Sequence, residues 1–98
     1  MYNRTDLNHT EIVACLKQIG CTVVDLSQVG KGCPDILVGY RGKNYLLEIK
    51  RNKKQGLRKN QQEFFDKWFG QCCVITDEFE AFKEIGITKE HIARYSGI

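Results

Sequence analysis

Apolar residues recur along this chain with two periods. Leu7, Ile12, Cys15, Leu16 and Ile19 fall near helical spacing, so Thr5 to Ile19 reads as a helix stopped at Gly20. Thr22 to Leu26 is a short β-branched strand. Asp35 to Tyr40 and Lys43 to Lys50 are strands joined by a tight turn at Arg41-Gly42. Gly30, Gly32 and Pro34 give the first of these an irregular approach. After a loop at 53–57, Arg58 to Phe69 reads as an amphipathic helix ended by Gly70, with Phe64, Phe65, Trp68 and Phe69 as its core face. Cys72 to Thr76 is a further strand. Thr76 or Asp77 caps a helix to Ile85, and Thr88 caps a last short one. The order αβββαβα, a hairpin followed by a βαβ crossover, predicts an α/β fold with a mixed sheet flanked by helices.

Within those strands lies "GKGCPDILVGYRGKNYLLEIKRNKK", from Gly30 to Lys54. It puts two carboxylates, Asp35 and Glu48, into hydrophobic runs that read as buried. Burying a carboxylate is costly unless its charge is compensated. Residues two apart on a strand share a face, so Glu48 and Lys50 point one way and Ile49 the other. A two-residue turn at Arg41-Gly42 sets Asp35 opposite Glu48, and a four-residue loop sets it opposite Lys50. Either register gathers all three on one side of the hairpin; an odd loop without a bulge would not. Like charges facing each other across a sheet are destabilising. A divalent cation between them would remove the conflict, and hard oxygen donors suit Mg²⁺ or Mn²⁺. The backbone carbonyl of Ile49 is a candidate third ligand. A lysine beside such a cation can orient a water, help deprotonate it or stabilise developing negative charge. The plainer alternative is a strand-entry Asp35 and a Glu48–Lys50 ladder pair.

Charge sharpens the picture. The net charge is only +3, but Lys50 to Lys59 holds six basic residues and no acid, while Asp77 to Glu84 holds four acids and one lysine. A basic block directly after the Glu-Ile-Lys triplet suits a polyanion such as nucleic acid. Lys31, Arg51, Lys53, Lys54, Arg58 and Lys59 are the candidate phosphate contacts. Ninety-eight residues make one domain spanning 1–98. No stretch approaches the roughly 20 apolar residues of a membrane helix, and the polar start MYNRTDLNHTEI is not a signal peptide. The protein therefore reads as intracellular. Five cysteines without a CxxC pair argue against disulfides or a zinc knuckle and for small buried apolar residues. His9 and His91 lack ligand spacing and read as ordinary polar residues.

Pro34-Asp35 followed by Glu48-Ile49-Lys50 resembles the PD-(D/E)XK nuclease superfamily. The "VGKGCPD", "LLEIK" and "LRKNQQEFFDKW" segments are similar to the VRR-NUC family (virus-type replication-repair nucleases), which includes small phage-type Holliday junction resolvase-like proteins. The resemblance covers roughly Glu11 to Ala81. It implies a restriction-endonuclease-like core and a Mg²⁺-dependent (or Mn²⁺-dependent) endonuclease, with Asp35, Glu48 and Glu11 as metal ligands. It also implies Lys50 at the attacking water, and Gln61 as the motif glutamine beside the site. Asp6 is a weaker candidate for the role of Glu11, and Gln62 leaves the glutamine register open. The implied substrate is branched or junction DNA. Two symmetric cuts imply a homodimer, for which the first helix and the glycine-rich segment before Pro34 are candidate interfaces. A non-catalytic nucleic-acid-binding module on the same fold, or a nicking or RNA-directed nuclease, are the alternatives.

Overall fold

In the computed structural model the described residues are 4–95, with side chains described for 8–94. The side chains of Asp6 and Leu7 lie outside that range. The elements are α1 (Arg4–Gln18), β1 (Thr22–Asp25), β2 (Ile36–Tyr40), β3 (Lys43–Ile49), α2 (Lys59–Lys67), β4 (Cys72–Ile75), α3 (Glu78–Ile85) and α4 (Lys89–Tyr95). The sheet order is β1-β2-β3-β4, antiparallel across the first two pairings and parallel between β3 and β4. It is a mixed sheet flanked by helices. No helix among the described residues is long and apolar enough to cross a membrane.

The turn between β2 and β3 has two residues. Arg41 (φ 50°) and Gly42 (φ 80°) are both left-handed, as a type I′ hairpin requires. Tyr40 therefore pairs with Lys43 and Ile36 with Leu47. One step further out, Asp35 faces Glu48.

One face of the sheet carries Ile36, Val38, Tyr40, Leu47, Ile49 and Ile75, which meet Ile12, Leu16 and Ile19 of α1 and Ala81, Phe82 and Ile85 of α3. On β3 every residue from Tyr45 to Ile49 is buried, so both faces of that strand are covered. Caps fix the helix starts. The Asp77 carboxylate accepts from the Glu80 N–H at 2.8 Å, and Thr88 Oγ accepts from the His91 N–H at 3.1 Å.

Three expectations need correction. α2 ends at Lys67, and Trp68 is already extended (φ −89°, ψ 122°). Its aromatic residues are not core: Trp68 is 46% and Phe69 100% exposed, and Phe64 and Phe65 are half-buried. Helical periodicity shows that residues share a face and says nothing of what covers it. α2 buries only Gln61. The cysteines are less buried than expected, since only Cys21 is buried and the other four are half-buried. His91 has a specific structural place. Its Nε2 lies 2.6 Å from the Ile19 carbonyl and must donate there, which leaves Nδ1 to accept from the Tyr40 hydroxyl at 3.0 Å.

Candidate active site

Three polar side chains are buried together between β3 and α2: Glu48 and Lys50, each 3% exposed, and Gln61, 7% exposed. The strand period places Glu48 and Lys50 on one face, and Gln61 descends onto them from the first turn of α2. Lys50 Nζ donates to Gln61 Oε1 at 2.8 Å and lies 3.3 Å from Glu48 Oε2. Gln61 Nε2 donates to the same Glu48 oxygen at 3.0 Å. Gln61 Oε1 also accepts the Arg58 N–H at 2.8 Å, closing the start of α2. One glutamine thus caps its own helix and ties the two strand side chains to it. Gln62 is exposed and bonds Asp66 instead, so of the two glutamines it is Gln61 that meets Glu48 and Lys50.

The approach of α2 depends on Gly32. A Cβ there would lie 2.2 Å from the Asn60 carbonyl oxygen, and its φ of +78° is left-handed. No larger residue lets the loop before Pro34 pass so close to α2.

Asp35 stands opposite Glu48. Its Oδ2 accepts the Ile49 N–H at 2.7 Å, which orients the carboxylate against the end of β3. Burial, then the Asp35 charge, push the Glu48 carboxyl up to about 7, against the opposing pull of Lys50 and Arg58. Glu48 Oε1 is buried and, among the described residues, has no hydrogen-bond partner. Leaving such an acceptor unsatisfied costs about 1–3 kcal/mol.

These groups border an open cleft of about 280 Å³. Asp35, Glu48, Ile49 and Lys50 form its floor. His9 and Thr10 of α1, Asp25 and Ser27 at the end of β1, and Gln55 and Arg58 before α2 complete its walls. Glu11 is not among them. It is exposed on α1, where its charge acts on Cys15 together with that of Glu78. Among the described residues no cluster of three His, Cys, Asp or Glu side chains forms a metal site. The basic candidates also divide. Arg58 lines the cleft. Arg51, Lys54 and Lys59 are exposed beside it in sequence. Lys53 is 83% exposed and pairs with Glu80 at 3.4 Å. Lys31 lies in a different hollow, against α2.

Sequence reasoning missed Asn8, His9 and Asp25. Asn8 Nδ2 donates to the carbonyls of Lys50 and Thr76, each at 3.2 Å, and so pins α1 to the ends of β3 and β4. His9 Nε2 lies 3.9 Å from Asp25 Oδ2 on the cleft wall. The pairing of Asp25 with Ile36, next to Asp35, is the signal that would have found the aspartate.

No family model matches the chain, and no curated protein matches it. Among solved structures the chain is similar to one described as "VRR_NUC domain", with a TM-score of 0.67 and 22% identity over 88% of this chain and 98% of that one. The chain has the fold of a VRR_NUC domain.

Proposed function

We propose that the protein is a metal-dependent endonuclease of the VRR-NUC family that hydrolyses DNA phosphodiester bonds inside the cell, acting on branched or junction DNA. The observation that carries this reading is the Glu48 carboxylate. One oxygen is held by Lys50 and Gln61, and the other is buried, without a partner among the described residues, and close enough to Asp35 to feel its charge. A cation held at that oxygen would satisfy it and would offset the conflict with Asp35. Asp35, Glu48 and the Ile49 carbonyl would hold Mg²⁺ or Mn²⁺, whose hard-oxygen preference matches this donor set. Glu11, outside the cleft, is not part of the set.

The bound cation would supply a Lewis acid for the phosphoryl oxygen and a lowered pKa for the attacking water. The rest falls to the chain's own residues. Lys50 has three ammonium protons. Gln61 accepts one and Glu48 lies close to a second, which leaves one for the attacking oxygen or for the charge that grows on the phosphate. Gln61 keeps Lys50 at that angle. Arg58 on the cleft wall, with Arg51, Lys53, Lys54 and Lys59 nearby, would take phosphates of the bound strand and position it without reading bases. The fold likeness to a VRR_NUC domain supports the same reading.

The test is incubation with labelled duplex, forked and four-way-junction DNA and with matching RNA, in Mg²⁺, Mn²⁺ or EDTA. Cleavage of branched DNA with either metal and none in EDTA is expected. Binding without cleavage under every metal condition would favour a non-catalytic nucleic-acid-binding module.

A further inference from the structure

We propose that the hollow beside the C-terminal end of α2 is a stacking site for an unpaired DNA base, next to the cleft that holds the scissile phosphate. The proposal rests on the nuclease reading above and deepens it by naming the substrate feature recognised.

The hollow, of about 250 Å³, is lined by Lys31, Asn60, Glu63, Phe64, Lys67 and Trp68. Trp68 is the only tryptophan in the chain, and it is 46% exposed. It is held in place. Its ring stacks on Phe64 with centroids 5.4 Å apart and planes 15° from parallel. At its edge sits Gly70, where a Cβ would come within 2.8 Å of the indole nitrogen. A fixed aromatic plate costs little ordering on binding and accepts the π-face of any base.

Charge selects the occupant. Lys31 comes from the loop before Pro34 and Lys67 from the last turn of α2, so two cations from separate elements line the hollow and suit the phosphates that flank a stacked base. Glu63 is the one carboxylate in the hollow, and it suits an exocyclic amino group of a base rather than a phosphate. Position links the hollow to the reaction. Gln61 stands in the first turn of α2 and Trp68 just past its last residue, seven residues on and roughly 10 Å apart along the helix axis. That is about three nucleotides at the rise of a stacked strand. A base inside continuous duplex cannot leave its stack at no cost to lie on Trp68, whereas a base at a branch point or in a single-stranded arm is already unpaired.

The single tryptophan makes its own reporter. Its fluorescence should be followed in EDTA, where no cleavage occurs, as forked DNA with unpaired nucleotides at the branch is added, and in parallel with continuous duplex of equal length. Forked DNA should quench it and duplex should not. Trp68→Ala should weaken forked-DNA binding about 5–100-fold and leave duplex binding within about twofold. Trp68→Phe should restore most of the affinity. Gly70→Ala, which displaces the indole but keeps it, should weaken forked-DNA binding in the same selective way. Equal quenching by duplex, or equal loss on both DNAs, overturns the proposal. So does a change in solution mass of Trp68→Ala by light scattering, which would make this face a contact between copies of the chain. A protein that cleaves forked DNA without any effect of Trp68→Ala sinks the stacking site alone. One that shows selective quenching but never cleaves sinks the nuclease reading alone.

Discussion

The two oxygens of Glu48 meet different surroundings, and most of the chemistry proposed for this protein follows from that asymmetry. Oε2 is bonded, and Oε1 has no partner among the described residues. Glu48→Gln and Asp35→Asn each remove a charged ligand and keep the shape, so cleavage should be lost while circular dichroism stays unchanged. DNA binding in EDTA should hold or tighten, because negative charge leaves the cleft. Near wild-type cleavage by either variant in saturating Mg²⁺ would refute the site. The carboxyl of Glu48, pushed up to about 7 from 4.5, also sets a pH dependence. The native state holds this proton more tightly than the unfolded chain, so its contribution to stability is present below about pH 4.5 and lost as pH rises through about 7. In EDTA the melting temperature should fall across that window, and Glu48→Gln should flatten the fall. A cation must displace the same proton, so apparent Mg²⁺ affinity should rise over the window, as calorimetric titration would record. Lys50→Ala should lower the cleavage rate about 10²–10⁴-fold with a much smaller loss of affinity. Equal losses in rate and affinity would make Lys50 a phosphate clamp only.

Elements bring these residues together with unequal visibility in sequence. The β2–β3 hairpin was legible because Arg41-Gly42 permits a two-residue turn, and that turn alone fixes Asp35 opposite Glu48. The place of Gln61 was legible from the resemblance of the motif around it. The outward aromatic face of α2 was not, because amphipathicity is local and coverage is tertiary. Asn8 was equally hidden, since nothing near it in sequence tells that its amide meets carbonyls 42 and 68 residues away. Its loss leaves two strand-end carbonyls without this donor, so Asn8→Ala should destabilise the fold by about 1–2 kcal/mol in urea unfolding. An unchanged midpoint would mean that water replaces the amide at no cost. The loop after Lys50 has a separate role. Each phosphate neutralised on duplex contributes about 0.9 to the slope of log affinity against log salt. Lys53 and Lys54 replaced by alanine together should lower that slope by up to about 2. The Lys53–Glu80 pair is too exposed to hold the lysine back strongly. An unchanged slope would place this loop away from the DNA.

At the scale of the whole molecule, the proposed nuclease has one cleft per chain and would cut one strand per encounter. Resolving a junction takes two symmetric cuts, so a resolvase of this size should be a homodimer with an isologous interface. The two surfaces suggested by sequence are not equivalent. The outward side of α1 presents Glu11, Lys17 and Gln18, all exposed and polar, which makes it a poor apolar contact. The glycine-rich approach to Pro34 has Val29 exposed at 58%, and Val24 on the edge strand β1 is exposed at 54%. An apolar contact there would also cover the unpaired edge of β1, which otherwise invites association. The edge-strand surface is therefore the better interface. Light scattering at micromolar concentration without DNA should give twice the chain mass. Val24→Glu with Val29→Glu should return it to one, since like charges would then face each other across the two-fold axis. The charged variant should still nick one strand of a junction while losing paired cuts. If the wild-type chain is monomeric and cuts in pairs, dimerisation must occur on the DNA; if it is monomeric and only nicks, the resolvase reading fails and a nicking nuclease takes its place.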